Sequence, residues 1–331
     1  MSAPMARIAE RHEAGAPGEW FVDSRCIDCD AARQVAPGLV VRNRSDGNSV
    51  FVRQPETADE IEMAWRAVMV CPTRSVGHAT LKRPDMPVFP ENLGDEVYRL
   101  GHNARSSFGA HSYLVRRSGA NLMVDAPRWT REVVAPLEGL GGVDHVLLSH
   151  RDDIADAERY AEHFGARVWI HADDSDAAPF ATDIIEGDDP AVIVDGSGSD
   201  SSVAVTSARS ACAGSGDESD EMAVGADAGG AGEVVVFAVP GHTKGSVLYL
   251  VDGHLLFTGD SLCRHPRRQA LHAFRDACWY SWEAQTAALG RFAAGEYRFD
   301  RLFAGHGWNH DASADVFQRL LHELVARMPS M

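Results

Sequence analysis

Four apolar runs in this chain each end at a histidine or an aspartate: Val146-Leu147-Leu148-Ser149-His150, Val239-Pro240-Gly241-His242, Leu256-Phe257-Thr258-Gly259-Asp260 and Leu302-Phe303-Ala304-Gly305-His306. Short apolar runs read as buried strands. A glycine or small residue after a strand lets the chain turn, so that the next side chain projects from the sheet edge. Imidazole and carboxylate are the ligands that borderline and hard divalent metals prefer. A lone histidine is usually a core or surface residue. Four such endings, three of them with glycine beside the candidate ligand, predict one metal site built on strand ends.

The pattern around these runs is mixed. Strands are predicted at 111–116, 121–124, 145–148, 168–170, 234–239, 247–251, 255–257 and 302–304. Helices are predicted at 156–164, closed by Gly165, and at 282–293 and 312–327. Strand pairs joined by turns such as Asp252-Gly253, interleaved with helices, predict two sheets sandwiched between helical layers. The first 92 residues are punctuated differently. Short strands are predicted at 21–23 and 49–52, and Ile61, Trp65, Val68 and Met69 recur at helical spacing behind a Thr57/Glu60 capping box. That helix runs into Cys71-Pro72, and the proline-rich stretch 84–90 reads as a linker. The expected division is a small domain over 1–92 and a larger one over 93–331. Within the larger one, 195–232 is dominated by Gly, Ser, Ala and Asp with Arg209 as its only basic residue. Such a stretch buries too little apolar surface to offset its ordering entropy, so a flexible surface insertion is expected there, and Cys212 within it is assigned no ligand role.

Composition excludes several classes of partner. A chain of 331 residues with 45% hydrophobic and 24% charged residues can bury a sizeable core. Its net charge of -17 argues against nucleic acid, which needs a basic face. Its cations are nearly all arginine, with lysine only at Lys82 and Lys244. No run of 18 apolar residues is present, residues 1–20 lack a signal-peptide core, and the six cysteines show no disulfide-framework spacing. The expectation is a soluble, cytoplasmic protein acting on a small-molecule substrate, with neither nucleic-acid nor membrane partners.

The motifs Ser149-His150-Arg151-Asp152-Asp153, Pro240-Gly241-His242-Thr243-Lys244-Gly245-Ser246, Thr258-Gly259-Asp260-Ser261 and Gly305-His306-Gly307 together resemble the ordered ligand motifs of the metallo-β-lactamase-fold hydrolases. The resemblance covers roughly residues 93–331 and implies an α/β fold, an αββα sandwich with one or two metal ions at the sheet edges. In that superfamily a His-x-His-x-Asp-His cluster precedes a single His, a bridging Asp and a final His. Here His150 matches the leading His, Asp152 stands where the second His would be, and the Asp-His pair is displaced to Asp156-Ala157, without its imidazole. The implied ligands of one ion are His150, Asp152 and His242 with Asp260; the second position would keep Asp156, His306 and the shared Asp260. Asp153 is an alternative to Asp152, and His111, His265 or Cys263 could fill the vacancy. Three protein ligands plus water suit a mononuclear catalytic zinc, or iron or manganese, whereas the lost imidazole disfavours a second ion. Asp260 or Asp156 would then hold the attacking water or accept its proton. The implied reaction is hydrolysis of an ester, thioester, amide or phosphoester, and the glyoxalase-like stretch from Gly241 to Ser246 leans towards an ester or thioester.

The N-terminal cysteines extend the resemblance. Cys26-Ile27-Asp28-Cys29 followed by Cys71-Pro72 resembles the single-cluster ferredoxin pattern, with Ala32 at its third cysteine position. Three thiolates imply a 3Fe-4S cluster, or a 4Fe-4S cluster with one non-protein ligand, or a small α+β ferredoxin-like scaffold that has lost its iron. Together with Ser106-Ser107-Phe108-Gly109, Val124-Asp125-Ala126-Pro127-Arg128-Trp129 and the stretch from Leu271 to Trp282, the two halves look like ferredoxin-fused metallo-β-lactamase-fold proteins. The aromatic cluster Trp279-Tyr280-Ser281-Trp282 reads either as core packing or as a pocket wall. Three functions compete: a metallo-hydrolase with an accessory ferredoxin-like domain, an iron-dependent oxidoreductase with an electron-transfer partner, and a binding module whose centres have decayed.

Overall fold

The computed structural model describes residues 6–82, 84–194, 206–207, 232–265, 267–295 and 297–331. The expected insertion at 195–232 lies outside that set except for 206–207 and 232, and Cys212 lies outside it too. Among the described residues the strands form two seven-stranded sheets and three two-stranded ones. The first large sheet has the order Asp183–Ile185, Arg167–His171, His145–Leu147, Leu122–Val124, Tyr113–Val115, Val97–Arg99, Glu91–Asn92. The second has the order Thr206–Ser207, Ala191–Val194, Val234–Ala238, Val247–Val251, Leu255–Phe257, Arg301–Phe303, His310–Asp311. No described helix is long and apolar enough to cross a membrane. The chain divides into two compact units: Met1–Arg116 with Asn121–Val146 and Asp152–Ala166, and Arg117–Ala120 with Leu147–Arg151 and Arg167–Met331.

In the first unit, Trp20–Val22 pairs antiparallel with Val76–His78, and Val40–Arg42 with Ser49–Phe51. Helices Ala31–Val35 and Ala58–Val70 close over them, burying Val35, Leu39, Phe51, Ala64, Trp65 and Val70. Thr57 caps the second helix: its hydroxyl accepts the Glu60 N–H, and Glu60 returns a bond to the Thr57 backbone. Glu91 ties this layer to the strands that follow, accepting from Arg66 at 2.9 Å and Arg99 at 2.8 Å. Those strands, Glu91–Asn92 to Leu122–Val124, form a consecutive antiparallel ladder.

In the second unit, the strands Val234–Ala238, Val247–Val251 and Leu255–Phe257 read as continuous apolar runs because both of their faces are covered. Val235, Phe237, Leu248, Leu250, Leu256 and Leu302 pack with Leu289 and Phe292 of helix Trp282–Ala294 and with Phe317, Leu321 and Leu324 of helix Ala314–Arg327. On the opposite face Val236, Tyr249, Phe257 and Phe303 are equally buried, and Tyr249 Oη donates to the Leu148 carbonyl at 2.8 Å. Two pairings aim the strand ends. Leu255–Phe257 and Arg301–Phe303 are parallel, with Phe257 opposite Phe303. Asp260 and His306, each three residues beyond that pair, therefore leave the sheet at one edge, where Gly305 N–H donates to Gly259 O. Val234–Ala238 reaches the same edge through the antiparallel strand Val247–Val251 between them.

Two helices escaped the sequence pattern, as did short strands such as Val40–Arg42, Val76–His78, Val97–Arg99 and Ala191–Val194. Helix Arg131–Gly139 buries Val133, Val134 and Leu137 on one side, but Pro136 lies inside it and obscures the helical signal. The short helix Ala31–Val35 is below the length at which periodicity becomes visible. The aromatic cluster splits: Trp282 is buried and donates Nε1–H to Met328 O at 3.0 Å, whereas Trp279 is 69% and Tyr280 51% exposed.

Candidate metal centre and cysteine site

Three imidazoles converge on one carboxylate oxygen. Asp260 Oδ2 lies 3.8 Å from His150 Nε2, 3.6 Å from His242 Nε2 and 3.9 Å from His306 Nε2. The His150 and His242 rings stand edge to face with centroids 4.7 Å apart. These separations are too long for hydrogen bonds. They are close to the spacing of donors on a common ion, since two ligands bonded at about 2.1 Å with a tetrahedral angle sit about 3.4 Å apart. The His150 side chain is 1% exposed, whereas Asp260 and His306 are 10% and 16% exposed, so the group opens on the Asp260–His306 side.

Local bonding orients the donors. The Nδ1 of His242 is 2.5 Å from the Ala277 carbonyl, which can only accept; Nδ1 therefore carries a proton, and Nε2 is the nitrogen that faces Asp260. His150 Nδ1 bonds Ser149 Oγ at 2.9 Å, which turns its Nε2 the same way. Three imidazole nitrogens facing one carboxylate oxygen at 3.6–3.9 Å are donor types and separations that a divalent ion takes, so the donor set fits a divalent metal.

Gly259 holds Asp260 in place. Its φ of +46° is in the left-handed region, and a Cβ there would come within 2.5 Å of Ser149 Oγ. The Gly259→Ala protein is expected to lose about 1–3 kcal/mol of stability and to bind metal more weakly, because the displaced Ser149 hydroxyl is the one that orients His150. A denaturant midpoint and a zinc titration on the same samples check both effects.

The remaining candidates are placed as follows. Asp152 is exposed and Asp153 buried in the turn directly after His150, and each offers a carboxylate oxygen within 4.8 Å of a His150 ring nitrogen. Asp156 is the N-cap residue of helix Ala157–Phe164, and its Oδ2 accepts the Trp129 N–H at 2.6 Å. Among the described residues, neither grouping of metal-competent donors includes Asp156. His111 is buried with Nδ1 3.2 Å from Asn103 Nδ2. The His265 ring packs edge-on to His272, and Cys263 is buried beneath Gly307, where a Cβ would meet its Sγ at 2.3 Å.

The cysteines form a second candidate site, inside the first unit. Cys26 and Cys29 lie on the loop before Ala31–Val35, and Cys71 is the C-cap of helix Ala58–Val70. The loop is pinned by Arg33, paired with both Asp28 and Asp30, and by Arg42, paired with Asp28. Each sulfur has a backbone donor: Ser49 N–H to Cys26 at 3.3 Å, Ser75 N–H to Cys71 at 3.2 Å, and Ala31 N–H to Cys29. Burial, and then the neighbouring Cys71, push the Cys29 thiol up to about 12. Backbone N–H donors on all three sulfurs suit sulfurs that carry negative charge, so the set fits an iron–sulfur group. Ala32, buried in the first turn of the short helix, supplies no fourth sulfur.

Comparison with known proteins finds a match for each of the two regions that carry these residues. A sequence model of the Metallo-beta-lactamase superfamily matches residues 107–321, and one of the 4Fe-4S single cluster domain of Ferredoxin I matches residues 22–78. Among solved structures, the chain is similar to the DIM-1 metallo-beta-lactamase at 13% identity and a TM-score of 0.47, covering 72% of this chain and 96% of that one. It is similar to a metallo beta lactamase from Erythrobacter litoralis at 14% identity and a TM-score of 0.45, covering 73% and 92%. It is also similar to a metallo-beta-lactamase from Pontibacter korlensis at 13% identity and a TM-score of 0.45, covering 72% and 98%. No curated protein matches the chain.

Proposed function

We propose that this chain, which belongs to the metallo-beta-lactamase superfamily, is a metal-dependent hydrolase of esters, thioesters or related bonds in small molecules. The observation that carries the reading is the convergence of His150, His242 and His306 on Asp260 Oδ2. These four residues would hold the ion. A divalent ion bound there supplies Lewis-acid polarisation of the electrophile and brings the pKa of its water towards neutrality. The chain does the rest. Asp260 reaches the open side and holds the attacking water by accepting its hydrogen bond. Trp279, whose ring lies 6.3 Å from that of His242, and Tyr280 flank the opening and contact the apolar part of a substrate. Asp156 acts through the backbone of Trp129 rather than as a ligand.

Residues 1–92 are proposed as an accessory ferredoxin-like domain in which Cys26, Cys29 and Cys71 hold a 3Fe-4S cluster or a 4Fe-4S cluster with one outside ligand, and 93–331 as the hydrolase domain. The proposed location is the cytoplasm. A second reading, an iron-dependent oxidoreductase with an electron-transfer partner, is favoured by the N–H donors on all three sulfurs. Chelation separates the two. Stripping the metal with a chelator is expected to abolish hydrolysis of a panel of nitrophenyl esters and thioesters, with zinc or manganese restoring it. Hydrolysis that survives in protein shown by elemental analysis to be metal-free rejects the hydrolase reading. Recovery with iron alone, accompanied by a redox activity, favours the second.

A further inference from the structure

We infer that Asp174 is a positioning residue for the metal centre, one carboxylate that holds the His150 and His242 loops at their working separation. Asp174 follows strand Arg167–His171 in the 3-10 turn Ala172–Ala177 and is 1% exposed. Its Oδ2 accepts two donors from two segments far apart in sequence. One is the N–H of Arg151, the residue after His150, at 3.0 Å; the other is the hydroxyl of Thr243, the residue after His242, at 2.5 Å. The Thr243 hydroxyl is fixed in turn by Ser246 Oγ at 2.8 Å, and Ser246 Oγ accepts the Thr243 N–H at 3.0 Å. Gly245 lets this segment lie directly on the aspartate, since a Cβ there would come 2.7 Å from Asp174 Cγ. At the surface Lys244 Nζ also joins the Thr243 loop to the turn that carries Asp174, donating to Asp173 Oδ1 at 2.7 Å.

The arrangement is costly unless it serves the site. A buried carboxylate carries a desolvation penalty. No basic side chain is bonded to Asp174, and Asp174 Oδ1 is buried without a hydrogen bond among the described residues. What that charge does secure is direction, because charge-assisted bonds to one oxygen fix both donors. His150 and His242 belong to different strand ends, and one shared anchor one residue past each of them keeps their rings at the 4.7 Å observed. The inference rests on the metal-centre reading above.

The test measures zinc affinity by chelator competition, together with the melting temperature and the Arg151 amide exchange rate of the metal-free protein. Thr243→Val and Asp174→Asn are each expected to weaken zinc binding by about 10–100-fold, the range found for groups that orient metal ligands, and to speed exchange at Arg151 in Asp174→Asn. Thr243→Ser, which keeps the hydroxyl, is expected to retain wild-type affinity. A purely structural carboxylate would instead lower the melting temperature of the metal-free protein and leave the affinity of the folded fraction unchanged, and that outcome overturns the inference. Wild-type protein that binds no divalent metal overturns the metal-centre reading itself. Wild-type binding with unchanged affinity in Thr243→Val and Asp174→Asn overturns the role of Asp174 alone.

Discussion

Replacing His242 with alanine is expected to reduce bound metal to background and hydrolysis by more than about a hundredfold, beyond the 10–100-fold typical of residues that only orient ligands. His242 has the shortest approach to Asp260 Oδ2 of the three rings, 3.6 Å, and its Nδ1 bonds the main-chain carbonyl of Ala277. Its loss removes one of the four proposed donors and the imidazole nearest to Asp260, leaving His150, His306 and Asp260. Asp260→Asn is expected to bind metal weakly and to lose turnover more than binding, since an amide can occupy the position but accepts a proton poorly. Metal per chain by elemental analysis, and kcat with KM on the same samples, separate the two variants. Full metal occupancy and normal turnover in His242→Ala would end the case for this centre.

Cys71→Ala is expected to take iron and acid-labile sulfide to background after anaerobic reconstitution, under conditions where the unaltered protein acquires both. Cys71 is the most buried of the three thiols and the most densely bonded: Ser75 N–H at 3.2 Å, Ser75 Oγ at 3.3 Å and Thr73 Oγ1 at 3.5 Å surround its sulfur. It is also the neighbour that, after burial, does most to raise the Cys29 thiol, so removing it withdraws both a ligand and the anchor of the pair. With Ala32 at the third position only two thiolates would remain, too few to hold a cluster. Visible absorbance and iron-to-sulfide ratios are the measurements. Unaltered protein that reconstitutes no iron and no sulfide would mark the fold as an empty scaffold, and Cys71→Ala that reconstitutes normally would place the cluster elsewhere.

The candidate donors at the strand ends are legible because their signal is local. A run of apolar residues, a small residue and a ligand candidate can be read within five positions, and His150, His242, Asp260 and His306 are proposed as ligands on that pattern. Asp156 shows the limit. The motif offered it as a ligand, yet its oxygen is 2.6 Å from the Trp129 N–H, a bond between residues 27 apart that no local pattern announces. Asp174 was missed for the same reason: nothing in Asp173-Asp174-Ser175-Asp176 singles out the second carboxylate until Thr243, 69 residues away, is laid against it. Helix Arg131–Gly139 was hidden differently, by Pro136 within its own length.

What the chain order alone determined was the inventory of strand ends and the residue types placed on them, because hydrophobic period and turn chemistry act between near neighbours. Three things were decided only in the folded protein. The register that sets Phe257 opposite Phe303 brings Asp260 and His306 to one edge; the packing of helix Trp282–Ala294 buries Trp282 and leaves Trp279 and Tyr280 outside; and one buried carboxylate joins the His150 and His242 loops. Each depends on pairing between segments far apart in the chain, where the energy lies in the contact and leaves no mark on either segment by itself.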